Sequence, residues 1–227
     1  EIGTNCRISL GYLTDEEDVS AALLKGKTEF DIRDITGDGA DDVTIRPVLQ
    51  DIPYWTGRAV NGQYVHFCCG LKKTGPGTLR LTGANVYTGD TEIVEGALMI
   101  DSVSSQSAVT AKNGGTAGGS GVVPDLTIGE GGGFEIPFGQ TSPLQAETLS
   151  VSGTNHVVHV RNLIGAEITS LRSPVVTLGT LDGELNPNEW TVDVDGTTLP
   201  HKALNVFLRG DTLWVHYGPP ATVVTLR

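Results

Sequence analysis

Aromatic residues are scarce in this 227-residue chain, with 5 Phe, 5 Tyr and 3 Trp, and it holds only 3 Cys and 1 Met. Disulfides are therefore not the main source of stability, and a chain of this length can bury a core without covalent staples. Cations are also few. The 15 Lys and Arg face 27 Asp and Glu, a net charge of −12, so there is no cationic surplus to release counterions from a phosphate backbone or to bind anionic lipid. No nucleic-acid partner is expected. No apolar run reaches the roughly 18 residues of a membrane helix, and no membrane insertion is expected.

The three thiols, Cys6, Cys68 and Cys69, leave one unpaired whichever two join. As neighbours, Cys68 and Cys69 would point to opposite faces of a strand. A link from Cys6 to either is open in an oxidising compartment. The chain begins at Glu1 without an initiator Met or a basic and apolar leader. That is what a trimmed chain or a mature exported protein would show.

What is abundant is glycine. With 30 Gly and 11 Pro against 38% hydrophobic residues, the composition favours many short strands broken by turns. One helix signal stands out: Thr14, Asp15, Glu16 and Glu17 form a capping box before Val19, Ala21, Ala22, Leu23 and Leu24, with Gly26 as the stop. This predicts a short helix over residues 15–25. Beyond it, Phe30, Ile32 and Ile35, then Val43, Ile45 and Val48, then Tyr64, His66 and Cys68 alternate with polar residues as half-buried strands do.

From residue 71 to 138, short strands recur at roughly 11 to 23 residues, the spacing of a solenoid with variable turns. Their inward pairs include Leu79 with Leu81, Leu98 with Ile100, and Leu126 with Ile128. The glycine clusters at 114–121 and 129–133 read as tight turns rather than linkers, because apolar strand residues resume at once after each. From residue 149 the strands lengthen. The Asp-Gly and Gly-Asp pairs at 182–183, 195–196 and 210–211 predict hairpins and an antiparallel end sheet that covers the edge of the stack. Residues 1–148 therefore read as a solenoid with an N-terminal helical cap, and 149–227 as a C-terminal sheet region continuous with it.

Gly70, Leu71, Lys73, Gly75, Gly77, Thr78, Leu79, Leu81, Gly83, Asn85, Tyr87, Gly89, Thr91, Ile93, Gly96 and Leu98 together resemble the autotransporter-associated β-strand repeat. Leu71, Leu79, Leu81, Tyr87, Ile93 and Leu98 would then be the inward residues of one coil, with glycines at its corners. The resemblance implies an all-β fold, a right-handed parallel β-helix of passenger type. It also implies an extracellular or outer-membrane-surface location in a Gram-negative bacterium. One full copy is evident, and no C-terminal set of alternating aromatic membrane strands follows it. The expectation is a fragment or a small exported relative.

Chemistry has few candidates. In residues 34–42, Asp34, Thr36, Asp38, Ala40 and Asp42 fall at alternate positions with Gly39 sixth, as oxygens converging on calcium require. The twelfth position holds Ile45 instead of Glu, and the other reading is an Asp-Gly turn between two strands. Asp34, Asp38 and Asp42, with Asp41 beside them, are also the densest carboxylates for acid and base work in a hydrolase. No Asp-Thr-Gly loop is present. His156 and His159 lie three apart, which places them on opposite faces of a strand. Tyr54, Trp55 and Trp190 would make a sugar platform if exposed and core plugs if not, while Trp214 and Tyr217 suit a core strand. The function expected is extracellular adhesion to host or matrix glycoproteins or glycans, with no cofactor required. The rival is a carboxylate-dependent hydrolase, an aspartic-type protease or a glycan-degrading enzyme, acting on mucin-like glycoproteins.

Overall fold

A computed structural model describes residues 8–10, 27–35, 37, 40–51, 68–104, 106–161, 171–194, 197–198 and 204–218. The helix expected over 15–25 lies outside these residues, as do Cys6, Thr36, Asp38, Tyr54, Trp55, Tyr64 and His66. Within them the regular structure is almost wholly strand. In order these are β1 (Ile8–Leu10), β2 (Lys27–Asp31), β3 (Val43–Ile45), β4 (Leu49–Asp51), β5 (Gly70–Thr74), β6 (Thr78–Leu81), β7 (Thr91–Ile93), β8 (Gly96–Ile100), β9 (Val109–Ala111) and β10 (Gly115–Gly118). They continue with β11 (Val122–Ile128), β12 (Gly133–Pro137), β13 (Leu144–Val151), β14 (His156–Arg161), β15 (Leu171–Asp182), β16 (Trp190–Val194), β17 (Thr197–Thr198), β18 (Leu204–Arg209) and β19 (Thr212–Tyr217).

The strands wind into a parallel β-helix. One sheet stacks β2, β5, β7, β9, β11, β13 and β15, and the second stacks β3, β6, β8, β10, β12, β14 and β16. Each coil thus contributes one strand to each sheet, from β2 with β3 in the first coil to β15 with β16 in the seventh. A thin third side pairs β1 with β4 and continues through parallel bridges from Asn85 to Ser104 and from Val103 to Val122. From the fifth coil on this side merges with the first sheet, because β11, β13 and β15 are long enough to turn the corner without a break.

Register explains the short strands. Leu71, Thr91, Val109, Leu126, Leu149 and Leu181 lie directly above one another in the first sheet. Val43, Leu79, Leu98, Ala117, Phe134, Val158 and Val192 do so in the second. A three-residue strand offers only one or two inward side chains, too few to hold itself, and stacking at about 4.8 Å supplies the missing neighbours. The expected inward residues Leu71, Leu79, Leu81, Tyr87, Ile93 and Leu98 are all buried. Tyr87 and Thr91 bring hydroxyls into this core and satisfy them internally, with Tyr87 Oη 2.5 Å from Thr91 Oγ1 and the latter 2.8 Å from Ser107 Oγ. Asn85 turns the third corner, its Oδ1 accepting the Leu49 N–H at 3.0 Å.

The glycine clusters are corners and strand, not linkers: Gly115–Gly118 is β10 itself. Gly119 leaves it at φ +110°, and a Cβ there would run into the Ile100 carbonyl of the coil below. Gly119→Ala is accordingly expected to destabilise the fold by more than about 2 kcal/mol, seen as a lower urea midpoint with an unchanged slope.

The antiparallel end begins later than the turn signals imply. Residues 182–183 make a corner, since β15 and the following β16 belong to different sheets. There Asn186 caps the short 3-10 turn Pro187–Glu189. The residues at 195–196 lie outside the described ones, though the flanking β16 and β17 pair antiparallel; 210–211 join the hairpin of β18 with β19, and β19 pairs with β15 at the end of the first sheet. The division at 148/149 falls inside β13, and buried residues from Ile32 to Val215 form one core.

Candidate functional site

A solenoid's inward side chains are committed to the core, so any site must be built from the outward ones. The two sheets present different outer faces. On the first, charge is concentrated in the lower coils: Lys72 lies 3.4 Å from Glu29, and Lys27 lies 3.3 Å from Glu92, which also pairs with Lys112. Hydrogen bonding from Thr74 and the Lys72 ammonium hold Glu29 below the usual carboxylate range, and Lys112 does the same for Glu92. Higher up the face changes to hydroxyls. Thr110, Thr127, Ser150 and Asp182 form one outward row, and Asp125, Thr148 and Thr180 form the next, in register.

On the second sheet the outward row runs Thr44, Arg80, Met99, Gly118, Glu135, His159 and Asp193. It is not open like the first. Met99 is 1% exposed and Glu135 8%. Arg161 of β14 reaches Asp41, which precedes β3, at 3.2 Å. A flat stack would hold the first and sixth coils about 24 Å apart, so this sheet curls and its outer face is concave. Arg80 pairs with both Asp41 and Asp101, and these carboxylates outweigh the effect of burial, which works against the Arg80 charge. Higher in the row His159 Nδ1 lies 3.3 Å from Asp193 Oδ1.

Of the residues singled out from the sequence, Asp34, Ala40 and Asp42 fall at a corner of the first two coils. Asp34 Oδ1 accepts the Gly37 N–H at 2.7 Å. Asp42 Oδ1 accepts from Ile35 N and its Oδ2 from Thr78 N, each at 2.8 Å. These bonds define a turn and tie it to the next coil. Ala40 is half-buried there, and Thr36 and Asp38 lie outside the described residues. Among the described residues no group of three or more His, Cys, Asp or Glu is arranged to hold a metal ion. Beside the turn runs a groove lined by Glu29, Asp31, Arg33, Asp34, Pro76 and Glu95.

His156 and His159 do face opposite sides. His156 is buried 4.8 Å from the Trp190 ring, while His159 belongs to the outer row. Trp190 is fully buried and stacks on Phe134, so it is a core plug rather than a platform. Trp214 differs from the core reading. It sits between buried Leu213 and Val215 on the other side of β19, with the Arg172 guanidinium 5.5 Å from its ring; Tyr217 packs on the core. Cys68 is exposed and Cys69 is buried.

The row of Glu135, His159, Arg161 and Asp193 was not legible as a cluster. Its members come from three successive coils, with His159 and Arg161 together on β14, and Asp41 and Arg161 meet across 120 residues. Only the register of each coil, unknown before the fold, could have aligned them.

Comparison with known proteins agrees with the repeat. Residues 71–100 match the passenger-associated transport repeat, so β5 to β8 are one such unit. The chain is also 52% identical over 54 residues to an extracellular serine protease of Serratia marcescens. That stretch is 24% of this chain and 5% of the relative, so the chain corresponds to only a small part of that protein.

Proposed function

We propose that this chain is a secreted or surface-displayed β-solenoid module that binds extracellular glycoproteins or glycans along the outer face of its first sheet. The passenger repeat marks it as an exported, Gram-negative type of module, and the match to an extracellular protein is consistent with that. The observation that carries the ligand class is the double row of Thr110, Thr127, Ser150 and Asp182 beside Asp125, Thr148 and Thr180. Hydroxyls both donate and accept, and carboxylates accept. Repeated at about 4.8 Å along the stack and about 6.6 Å along each strand, they form a regular lattice of partners for the hydroxyls of an extended sugar chain.

The triple variant Thr127→Ala, Thr148→Ala, Ser150→Ala keeps the core intact. Its affinity for an immobilised mucin-type glycoprotein is expected to fall at least tenfold with the melting temperature unchanged. Binding that survives the three changes, or no binding by the parent chain, would overturn the assignment. The hydrolase reading has less support, because Asp34 and Asp42 spend carboxylate oxygens on backbone amides. Release of peptide or sugar fragments from the same glycoprotein, abolished by Asp34→Asn with Asp42→Asn, would replace binding by hydrolysis.

A further inference from the structure

Glu135 is the only buried Asp or Glu among the described residues. Its Oε2 lies 3.0 Å from Thr116 Oγ1, and that same oxygen lies 3.3 Å from the Gly96 carbonyl oxygen. A threonine hydroxyl has one proton and a carbonyl can only accept. With an ionised Glu135 the hydroxyl faces two acceptors and leaves one contact without a proton. With a protonated Glu135 both are made: the carboxyl donates to Thr116, and Thr116 donates to Gly96.

Arg161 points the same way. Its Nη1 donates to Asp41 Oδ1 at 3.2 Å, yet its Nε and Nη2 are buried without hydrogen-bond partners. Those two nitrogens form the edge of the guanidinium that grips a carboxylate through two parallel bonds. Glu135 Oε1 stands only 3.5 Å from Nε and does not complete the grip.

We propose that Glu135 is a proton-dependent clasp on the concave face. While it holds its proton, Arg161 is left to tie the sixth coil to Asp41 of the first; once it loses the proton, it draws the free edge of Arg161 and leaves Asp41 to Arg80. Burial pushes the Glu135 carboxyl up, against the opposing pull of His159 and Arg161.

The groups that face Glu135 define the switch. On β10 there is Thr116 and nothing that titrates; on β14 there are His159 and Arg161; on β16, beyond His159, there is Asp193. Charge on His159 favours ionised Glu135, so the test is run in parallel on a His159→Gln background. The unfolded glutamate titrates near about 4.3. Between that value and the raised folded one the folded chain binds more protons. The clasp's stabilisation is therefore complete below about pH 4.3 and is lost as pH rises through the folded value.

The test reads two things on the full chain. Carbon-13 NMR of the glutamate carboxyls is expected to show one resonance that titrates above the ordinary range and is missing in Glu135→Gln. Hydrogen exchange over residues 40–45, corrected for intrinsic rates, is expected to speed up at least tenfold as that resonance titrates, and to be independent of pH in Glu135→Gln. Ordinary titration of every glutamate, or the same pH dependence in Glu135→Gln as in the parent, overturns the proposal. Should Glu135→Gln not fold, Thr116→Val serves instead. Loss of the acceptor for the carboxyl proton is expected to move the Glu135 titration back toward the ordinary range, and an unmoved titration counts against the clasp.

Discussion

Trp190→Ala is expected to lower the free energy of unfolding by about 3–5 kcal/mol, and the melting temperature by about 10 °C. The indole is fully buried in the seventh coil, stacked 5.7 Å from the Phe134 ring and 4.8 Å from His156. Truncation removes the largest side chain of the core at the level where the parallel stack meets its antiparallel end. Surrounding strands are held by ladders above and below, so they cannot collapse into the space. Against a total stability of about 5–15 kcal/mol, this single change takes a large share. Trp190→Phe separates volume from polarity. The indole Nε1 is buried without a partner, so the smaller ring gives up volume but no hydrogen bond, and it is expected to cost less than about 1.5 kcal/mol. Thermal melts of the two variants decide it; equal losses in both would remove packing at this site as the cause.

Lys73→Ala is expected to cost a similar amount, about 3–5 kcal/mol, for a different reason. Lys73 points inward in the row of Ile93, Ala111, Ile128 and Val151, and it is completely buried. Its ammonium donates to the carbonyls of Thr74, Gly75 and Glu95 at 2.9, 2.6 and 3.0 Å. It therefore caps the corner between the first and second sheets, where the second and third coils meet. Burial pulls it down to about 8, still above neutral, so at pH 7 the charge and all three donors are present. Lys73→Met keeps most of the apolar stem and removes only the donors, and is expected to lose about half as much in a urea titration. A Met variant as stable as the parent would show that the carbonyls need no cap.

Much of the second and third coils was legible from residues 70–98 because every element of that stretch has a local cause. Alternation selects strands, glycines permit corners, and Leu79, Leu81 and Leu98 need partners that only stacking provides. The helix signal at residues 14–26 lies outside the described residues. The hairpin expected at Asp182 and Gly183 is a corner, because a turn dipeptide specifies a bend and not which sheet receives the next strand. Trp214 alternates in a strand like its neighbours, and alternation alone does not say which face is inward.

The candidate sites show the same division more sharply. The aspartates of residues 34–42 drew attention because they are adjacent in sequence, yet Asp34 and Asp42 serve the backbone of their own corner and the next coil. Each hydroxyl row of the first sheet is assembled one residue per coil, and the Glu135 cluster of the second draws its side chains from several coils.

By itself, the sequence determined the kind of protein this is: all-β, built of stacked short strands, with one passenger-type repeat whose inward residues are those expected. The tertiary structure alone decided which outward side chains meet. Coils differ in length, so equal positions in successive coils are not equally spaced in the chain. The curl of the second sheet then joins residues as remote as Asp41 and Arg161. Local periodicity is a property of a few neighbouring residues, whereas register and curvature depend on how all seven coils settle on one another.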